Sequence, residues 1–322
     1  MRNIRTLLVV LLCLPLIAFG QGGYPDKPIR LIVPFPPGGG VDNFARPLAQ
    51  QLSLQMGQTV IIENRAGAGG VIGSAVAAKA APDGYTLLAS TDTSEYLTTV
   101  VVKNDSFDPI KDLTPIISAA TTPTVVVVHP SLPISSMKEL VDLGRDSLEP
   151  IPYVTAGVGS LHHLTGESLA RATGAKLLHI AYKGGSPAMI DLLGGQVKVG
   201  ILILSSVAPH IESGKLRVVA TIENHRSKTY PDIPTISESG VPGFGMPDTA
   251  IAIWGPAGLP PAIVARINEE VQKAMLAPAV REAMAKGGYD ASPGTAEAFS
   301  AQAKESYAAY KRMVKEANLL NE

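Results

Sequence analysis

The chain has 322 residues, 46% of them hydrophobic and 17% charged, with a formal net charge of −1. That length and apolar content suit a folded protein of two lobes rather than one. The charge balance argues against the basic surface of a nucleic-acid partner, and 5% aromatic content leaves no extended stacking surface.

The chain opens on MRNIR, then the apolar TLLVVLLCLPLIAF, then Gly20. This is the layout of a secretory signal peptide over residues 1–20, with cleavage before Gln21. Its apolar run of 14 residues falls short of a membrane span, which needs about 20. Cys13, the only cysteine, lies inside it, and VLLC lacks the small residues usual before a lipid-attachment cysteine. The mature chain should therefore contain no disulfide and no reactive thiol. Losing Arg2 and Arg5 leaves 25 basic against 28 acidic side chains, a charge of −3.

From Pro28 onward, β-branched runs alternate with alanine-rich stretches. IRLIVPF, TVIIEN and YTLLAS are predicted strands; VDNFARPLAQQLSLQM and GGVIGSAVAAKAA are predicted helices. This βαβα rhythm implies an α/β fold with parallel strands and helices on both faces. A second unit starts near TPTVVVVHP. It continues with a helix at SSMKELVDLGRD, capped by Ser135 or Ser136. IPYVTA, KLLHIAY, VKVGILI and LRVVATI are its strands, and SLHHLTGESLARATG, GSPAMIDLLGGQ and VAPHIESGK its helices. SKTYPDIPTISESGVPGFGMPD is rich in Pro, Gly and Ser and reads as a long surface connection. AIAIWGPAGLP follows, then a helix at PAIVARINEEVQKAML and a last one from Ala296 to Ala317. These helices lack a core of their own and should pack on the first lobe. Chain crossings are expected near 120–125 and 222–250. The division is a first lobe of 21–122 plus 224–322 and a second of 123–223, with the ligand cleft between them. Trp254, beside the second crossing, should sense lobe closure.

Three glycine-rich helix starts, at 38–40, 157–160 and 184–186, offer backbone N–H donors to an anion. PFPPGGGVD, the first of them, lacks the Lys and Ser or Thr of a phosphate loop, so a carboxylate fits better than a triphosphate. Asp42 there is read as a cap, since its charge would repel a carboxylate. NRAGAGGVIG approaches a dinucleotide fingerprint but has Ile72 where a third glycine belongs, so its glycines are read as packing glycines. In TAGVGSLHHLTGE, Ser160 with His162 or His163 suggests a secreted serine hydrolase as the alternative. Gly-Ser-Leu, however, is no nucleophile elbow. Adjacent histidines on a helix diverge by about 100°, and His163 with Glu167 supplies only two metal ligands. No catalytic residue, metal or cofactor is assigned. The pattern says capture.

PIRLIVPFPPGGGVD, NRAGAGGVIGSAVAAKAAPDGYTLL, FDPIKDLTPI, GVGSLHH, YKGGSPAMIDLLGGQVKV, PHIESGKLRVVAT and YPDIPTISESGVPGF together resemble the signatures of tripartite tricarboxylate transporter receptors, also called Bug proteins. The resemblance spans essentially the whole mature chain in order. It implies a monomeric periplasmic receptor with the two-lobed Venus-flytrap fold. Such a receptor captures a small organic carboxylate and delivers it to a membrane transporter or a sensor. It further implies a ligand carboxylate held by loops of both lobes and bridging water. That carries over to Phe35, Gly38 and Gly39 in the first lobe, and to Ala156, Gly157, Gly159 and Ser160 in the second. The chain departs from the family pattern at GILILSS, with Leu202 and Ile203 where an aspartate-bearing stretch is usual. It departs again at TDTSEYLTT, which is expected to bring Thr91, Asp92, Thr93 and Glu95 near the cleft.

Overall fold

The computed structural model describes residues 23–102 and 106–316. Residues 1–20, read above as the signal peptide with Cys13, lie outside the described residues.

The first lobe opens with β1 (Ile29–Val33), α1 (Gly40–Met56), β2 (Val60–Asn64), α2 (Val71–Ala78) and β3 (Thr86–Thr91). A π-helical turn (Ser94–Thr98) and the single turn α3 (Thr99–Val101) lead to β4 (Leu113–Thr122). The second lobe runs β5 (Thr124–Val128), α4 (Met137–Asp146), β6 (Ile151–Thr155), α5 (Leu161–Thr173) and β7 (Leu177–Ala181). It continues with α6 (Gly185–Leu193), β8 (Val199–Ile203), α7 (Leu204–Ile211) and β9 (Arg217–Thr221). The chain then returns as β10 (Thr249–Pro256), α8 (Pro261–Leu276), α9 (Pro278–Lys286), β11 (Asp290–Ala291) and α10 (Ala296–Glu316).

Local chemistry sets several of these ends. Ser136 caps α4 by accepting from Glu139 N, and Ser160 caps α5 by accepting from His163 N. Gly57 and Gly174 close α1 and α5 in the left-handed region, as C-terminal glycines do.

Each lobe has one sheet. The first is ordered β11-β4-β10-β3-β1-β2, the second β7-β6-β8-β5-β9. β1, β2 and β3 pair in parallel, as do β6, β7 and β8. The expectation of parallel strands fails where the chain changes lobe. β10 runs antiparallel to β3 and β4, and β5 antiparallel to β8 and β9. A strand that has just crossed enters its sheet from the opposite end.

Alternation along the strands feeds three cores, one of them continuous across both lobes. Leu31, Val33 and Ile253 face α1, α8 and α9, whereas Ile32, Leu88 and Trp254 face α2 and α10. In β5, Val125 and Val127 pack towards α6 and α7, while Val126 and Val128 pack towards α4 and α5. Strands buried on both faces read as the continuous apolar runs seen in the sequence. The C-terminal helices do pack on the first lobe: α8 meets α1 and β4, and α10 meets β4.

Trp254 is not at the crossing. It is fully buried in the first lobe, donating through Nε1 to the Tyr96 hydroxyl at 3.3 Å and stacking edge-on against Phe299. Nor is 227–248 merely a surface connection, since Ile236, Val241 and Met246 are buried in it. Ile236 N donates to Thr221 O at 2.8 Å and Lys138 N to Ser239 O at 3.0 Å, tying this segment to β9 and α4. The lobes are thus joined by two strands lying side by side. One passes from β4 to β5 through Pro123, and the other enters β10 at Thr249, which pairs with Thr122.

Candidate functional site

The C-terminal ends of parallel strands in both sheets point at the same cleft, where their loops turn into helices. From the first lobe, the loop after β1 places Phe35, Gly39 and Gly40 on the wall, and the loop after β2 places Gly69. Thr91, Thr93 and Ser94 follow β3, and Thr249 stands at the crossing. The second lobe contributes Ala156, Ser160, Leu161 and His162 after β6, and Gly185 after β7. Leu202, Ile203 and Ser206 complete its wall around the start of α7. The empty space between these walls is about 600 Å³, open solvent at the mouth included.

The starts of α1, α5, α6 and α7 thus all border this space. The first N–H groups of a helix have no partner within it, and the helix dipole puts partial positive charge there. None of the lining residues is Asp, Glu, Lys or Arg. An anion entering the cleft meets backbone and hydroxyl donors in a largely apolar frame.

Most of the expected residues line the cleft: Phe35, Gly39, Thr91, Thr93, Ala156, Ser160, Leu202 and Ile203. Four do not. Gly38, at φ 78°, forms the turn before α1 and passes its N–H to Asp42 at 2.9 Å. Gly157 and Gly159 stand behind the wall. The Gly157 carbonyl accepts from Ser160 Oγ at 2.7 Å, and that of Gly159 accepts from Thr98 Oγ1 at 3.2 Å. Asp92 turns inward, accepting from Ala250 N at 2.9 Å and Thr93 N at 2.8 Å, and so fixes the first turn of β10. Burial raises its pKa to about 7 against those two N–H groups, with Asp248 adding repulsion. Glu95 is also off the cleft, accepting from Ser74 Oγ at 2.7 Å, and burial pushes it likewise to about 7.

Asp42 is buried at the start of α1. Burial opposes its charge, but Arg46, Gly38 N–H and Asn64 outweigh this and hold the carboxyl below its usual range. It organises the glycine turn and does not line the cleft.

Gly40, Gly69, His162, Ser206 and Thr249 were not among the expected binding residues. Ser206 and Thr249 lie in no motif, and only the fold brings them to the wall; Gly40, Gly69 and His162 lie in motifs read for other roles. Gly69 was read as a packing glycine, and it has a φ of 64° on the cleft surface. Gly40 packs tightly against the second lobe. A Cβ there would overlap Ile203 Cδ1 and Ser205 Oγ.

The hydrolase arrangement is not formed. Ser160 Oγ gives its single proton to the Gly157 carbonyl and accepts from His163 N at 3.2 Å, as a helix cap does. The His163 ring stacks on His179 at 3.9 Å between centroids. Burial lowers His162 to a pKa of about 4, so its imidazole is neutral near pH 7.

Hydrogen bonds also join the lobes beside the cleft. Ser186 Oγ donates to Pro37 O at 3.0 Å, and Thr98 Oγ1 donates to Gly159 O. This is a closed flytrap.

Comparison with known proteins agrees with that geometry. The family model described as "Tripartite tricarboxylate transporter family receptor" matches residues 44–319. Protein BugT of Bordetella pertussis is 38% identical over 266 residues, 82% of this chain and 81% of BugT. The solved periplasmic binding protein BugD is 33% identical with a TM-score of 0.86, covering 92% of this chain and 99% of BugD. A protein of R. palustris solved with adipate is 30% identical with a TM-score of 0.87, again over 92% and 99% of the two chains. The chain is a solute-binding protein with the two-lobed periplasmic-binding-protein fold, and it belongs to the tripartite tricarboxylate transporter receptor family.

Proposed function

We propose that this protein captures a small organic carboxylate in the periplasm by closing its lobes on it, and delivers it to membrane transporter subunits or a sensor. The observation that carries this reading is the convergence of four helix N-termini on one cleft without a single charged side chain. The carboxylate lies against N–H groups at the starts of α1 and α5, with Gly39 and Ser160 at its sides. The adipate named with the R. palustris relative supports a carboxylate ligand of this size. The residues placed on the cleft wall are the binding residues in this reading, while Gly38, Gly157, Gly159 and Asp92 shape the wall from behind.

The moving bodies follow the two sheets. The sequence division puts the second lobe at 123–223. In this reading its sheet starts at Thr124 and the lobe extends to near Met246, because 235–246 is bonded to β9 and α4. Ser227 and Thr229 tie the same segment to Asp290 of the first lobe. The protein acts as a receptor and not as an enzyme, since the Ser160 proton is committed to a backbone carbonyl. Export follows from the leader-like residues 1–20.

A thermal-shift screen over mono-, di- and tricarboxylates, amino acids and aromatic acids tests this reading. A ligand at 100 times its Kd adds about 2.7 kcal/mol of stability, which shifts the melting point by roughly 5 to 10 °C. Stabilisation by at least one acid is expected. Turnover of esters or amides that disappears in Ser160→Ala would overturn the receptor reading.

A further inference from the structure

Three polar side chains on the cleft wall lack a hydrogen-bond partner among the described residues: His162 through Nδ1, Ser206 through Oγ and Thr249 through Oγ1. All three are more than nine-tenths buried, with exposures of 8%, 8% and 2%. A buried polar atom without a partner costs about 1–3 kcal/mol, and such atoms are rare in native proteins. The three come from separate elements, namely the first turns of α5 and α7 and the start of β10. Both lobes are represented, so the full set exists only when the cleft is closed.

We propose that His162, Ser206 and Thr249 form a second polar subsite. It reads an oxygen group on the ligand, in addition to the anchored carboxylate, and it excludes ammonium. This rests on the carboxylate-receptor reading above. The preferred ligands are hydroxy, oxo or dicarboxylic acids rather than amino acids. With the imidazole proton on Nδ1, His162 and the two hydroxyls donate together to one oxygen acceptor. No Asp or Glu among the described wall residues offers an ammonium a counter-charge. Asp92 and Glu95 are turned away to Ala250 N and Ser74, and Leu202 fills the wall nearby. The helix N-termini around the cleft also disfavour a cation. His162 is the specificity-determining residue of the set, because its rigid ring fixes the direction of the donor.

Calorimetry with matched six-carbon and four-carbon probes tests this. The probes are hexanoate, 6-hydroxyhexanoate, 6-oxohexanoate, adipate and 6-aminohexanoate, with butanoate, 2-hydroxybutanoate, 2-oxobutanoate, succinate and 2-aminobutanoate. In the wild type, at least one oxygenated probe should bind ten times tighter than its plain-chain and amino counterparts. The arms separate a hydroxyl or oxo group from a second carboxylate. His162→Leu should abolish that preference, weakening the oxygenated probe at least five times more than its plain-chain counterpart. His162→Asn, which keeps an N–H near the Nδ1 position, should restore at least half of the lost binding free energy. Ser206→Ala provides an independent reduction if the Leu variant fails to fold. Equal binding of plain, amino and oxygenated probes overturns the subsite while leaving the receptor reading intact. So does an equal loss for all probes in both variants. No binding by any acid overturns the receptor reading, and the subsite with it.

Discussion

Gly40 shows how one missing methyl group can matter only in the closed state. It sits at the first helical position of α1, with Ile203 and Ser205 of the second lobe directly against its Cα. In an open form those neighbours swing away, and alanine is a better helix residue than glycine. Gly40→Ala should therefore leave the fold intact and penalise closure. Ligand affinity should fall at least tenfold, about 1.4 kcal/mol, with an unchanged far-UV circular dichroism spectrum and melting point without ligand. Full affinity in a folded Gly40→Ala protein would show that the lobes do not come this close. The triple glycine was legible as an anion-facing turn, but the roles within it were not. Gly39 has an ordinary φ of −75°, Gly38 has the positive φ, and Gly40 carries the close approach. Sequence shows three identical residues, while neighbours from another lobe separate them.

At the level of elements, runs with local signals were readable. The helix at Pro261–Leu276 and the strands Thr86–Thr91 and Val199–Ile203 follow the pattern of their own residues. β4 was not foreseen, because Pro115 interrupts LTPIISAATT and proline argues against a strand in mid-sheet. It is accommodated opposite Trp254, where the ladder with β10 shifts register. The acidic stretch after β3 was read as cleft wall. Its helical turn instead sends Asp92 and Glu95, three apart, inward and Thr93 and Ser94 to the ligand side. β10 also decides what tryptophan fluorescence reports. Trp254 lies five residues beyond Thr249, roughly 16 Å along the strand, with Phe299 and Tyr96 around it. Its emission should stay unchanged at saturating ligand and shift only when the first lobe unfolds. A shift that tracks ligand occupancy would mean that this core moves with closure.

For the whole molecule, the connection between lobes carries a buried acid. Glu223 accepts from Thr124 N at 2.8 Å and from the Thr221 hydroxyl, so it binds the end of β9 to the start of β5 beside Pro123. Burial raises its pKa from 4.5 to about 7, against the bonds from Thr124 and Thr221. Below about pH 4.5 the group is protonated in folded and unfolded chains alike and has no effect. As pH rises to 7 the unfolded chain loses this proton first, so the native state becomes relatively less stable, and above 7 the full penalty remains. Glu223→Gln removes the charge and keeps an acceptor for Thr124 N. It should stabilise the protein at pH 8 by on the order of 1–3 kcal/mol, with the gain fading as pH falls from 7 towards 4.5. Urea unfolding at several pH values measures this, and a gain independent of pH would contradict it.

The two-lobed architecture was readable because each lobe repeats strand, glycine turn and helix. The cleft composition was less so, since its wall comes from seven separate segments, and residues such as Thr249 and Ser206 carry no motif. The central claim is that a carboxylate is held there by backbone and neutral donors alone. Calorimetric titration of the wild-type protein with a panel of carboxylic acids, each paired with its primary amide, tests this most directly. At least one acid should bind one per chain, with its uncharged amide at least a hundredfold weaker, about 2.7 kcal/mol. An amide that binds as tightly as its acid, or a panel in which no acid binds, would contradict the account.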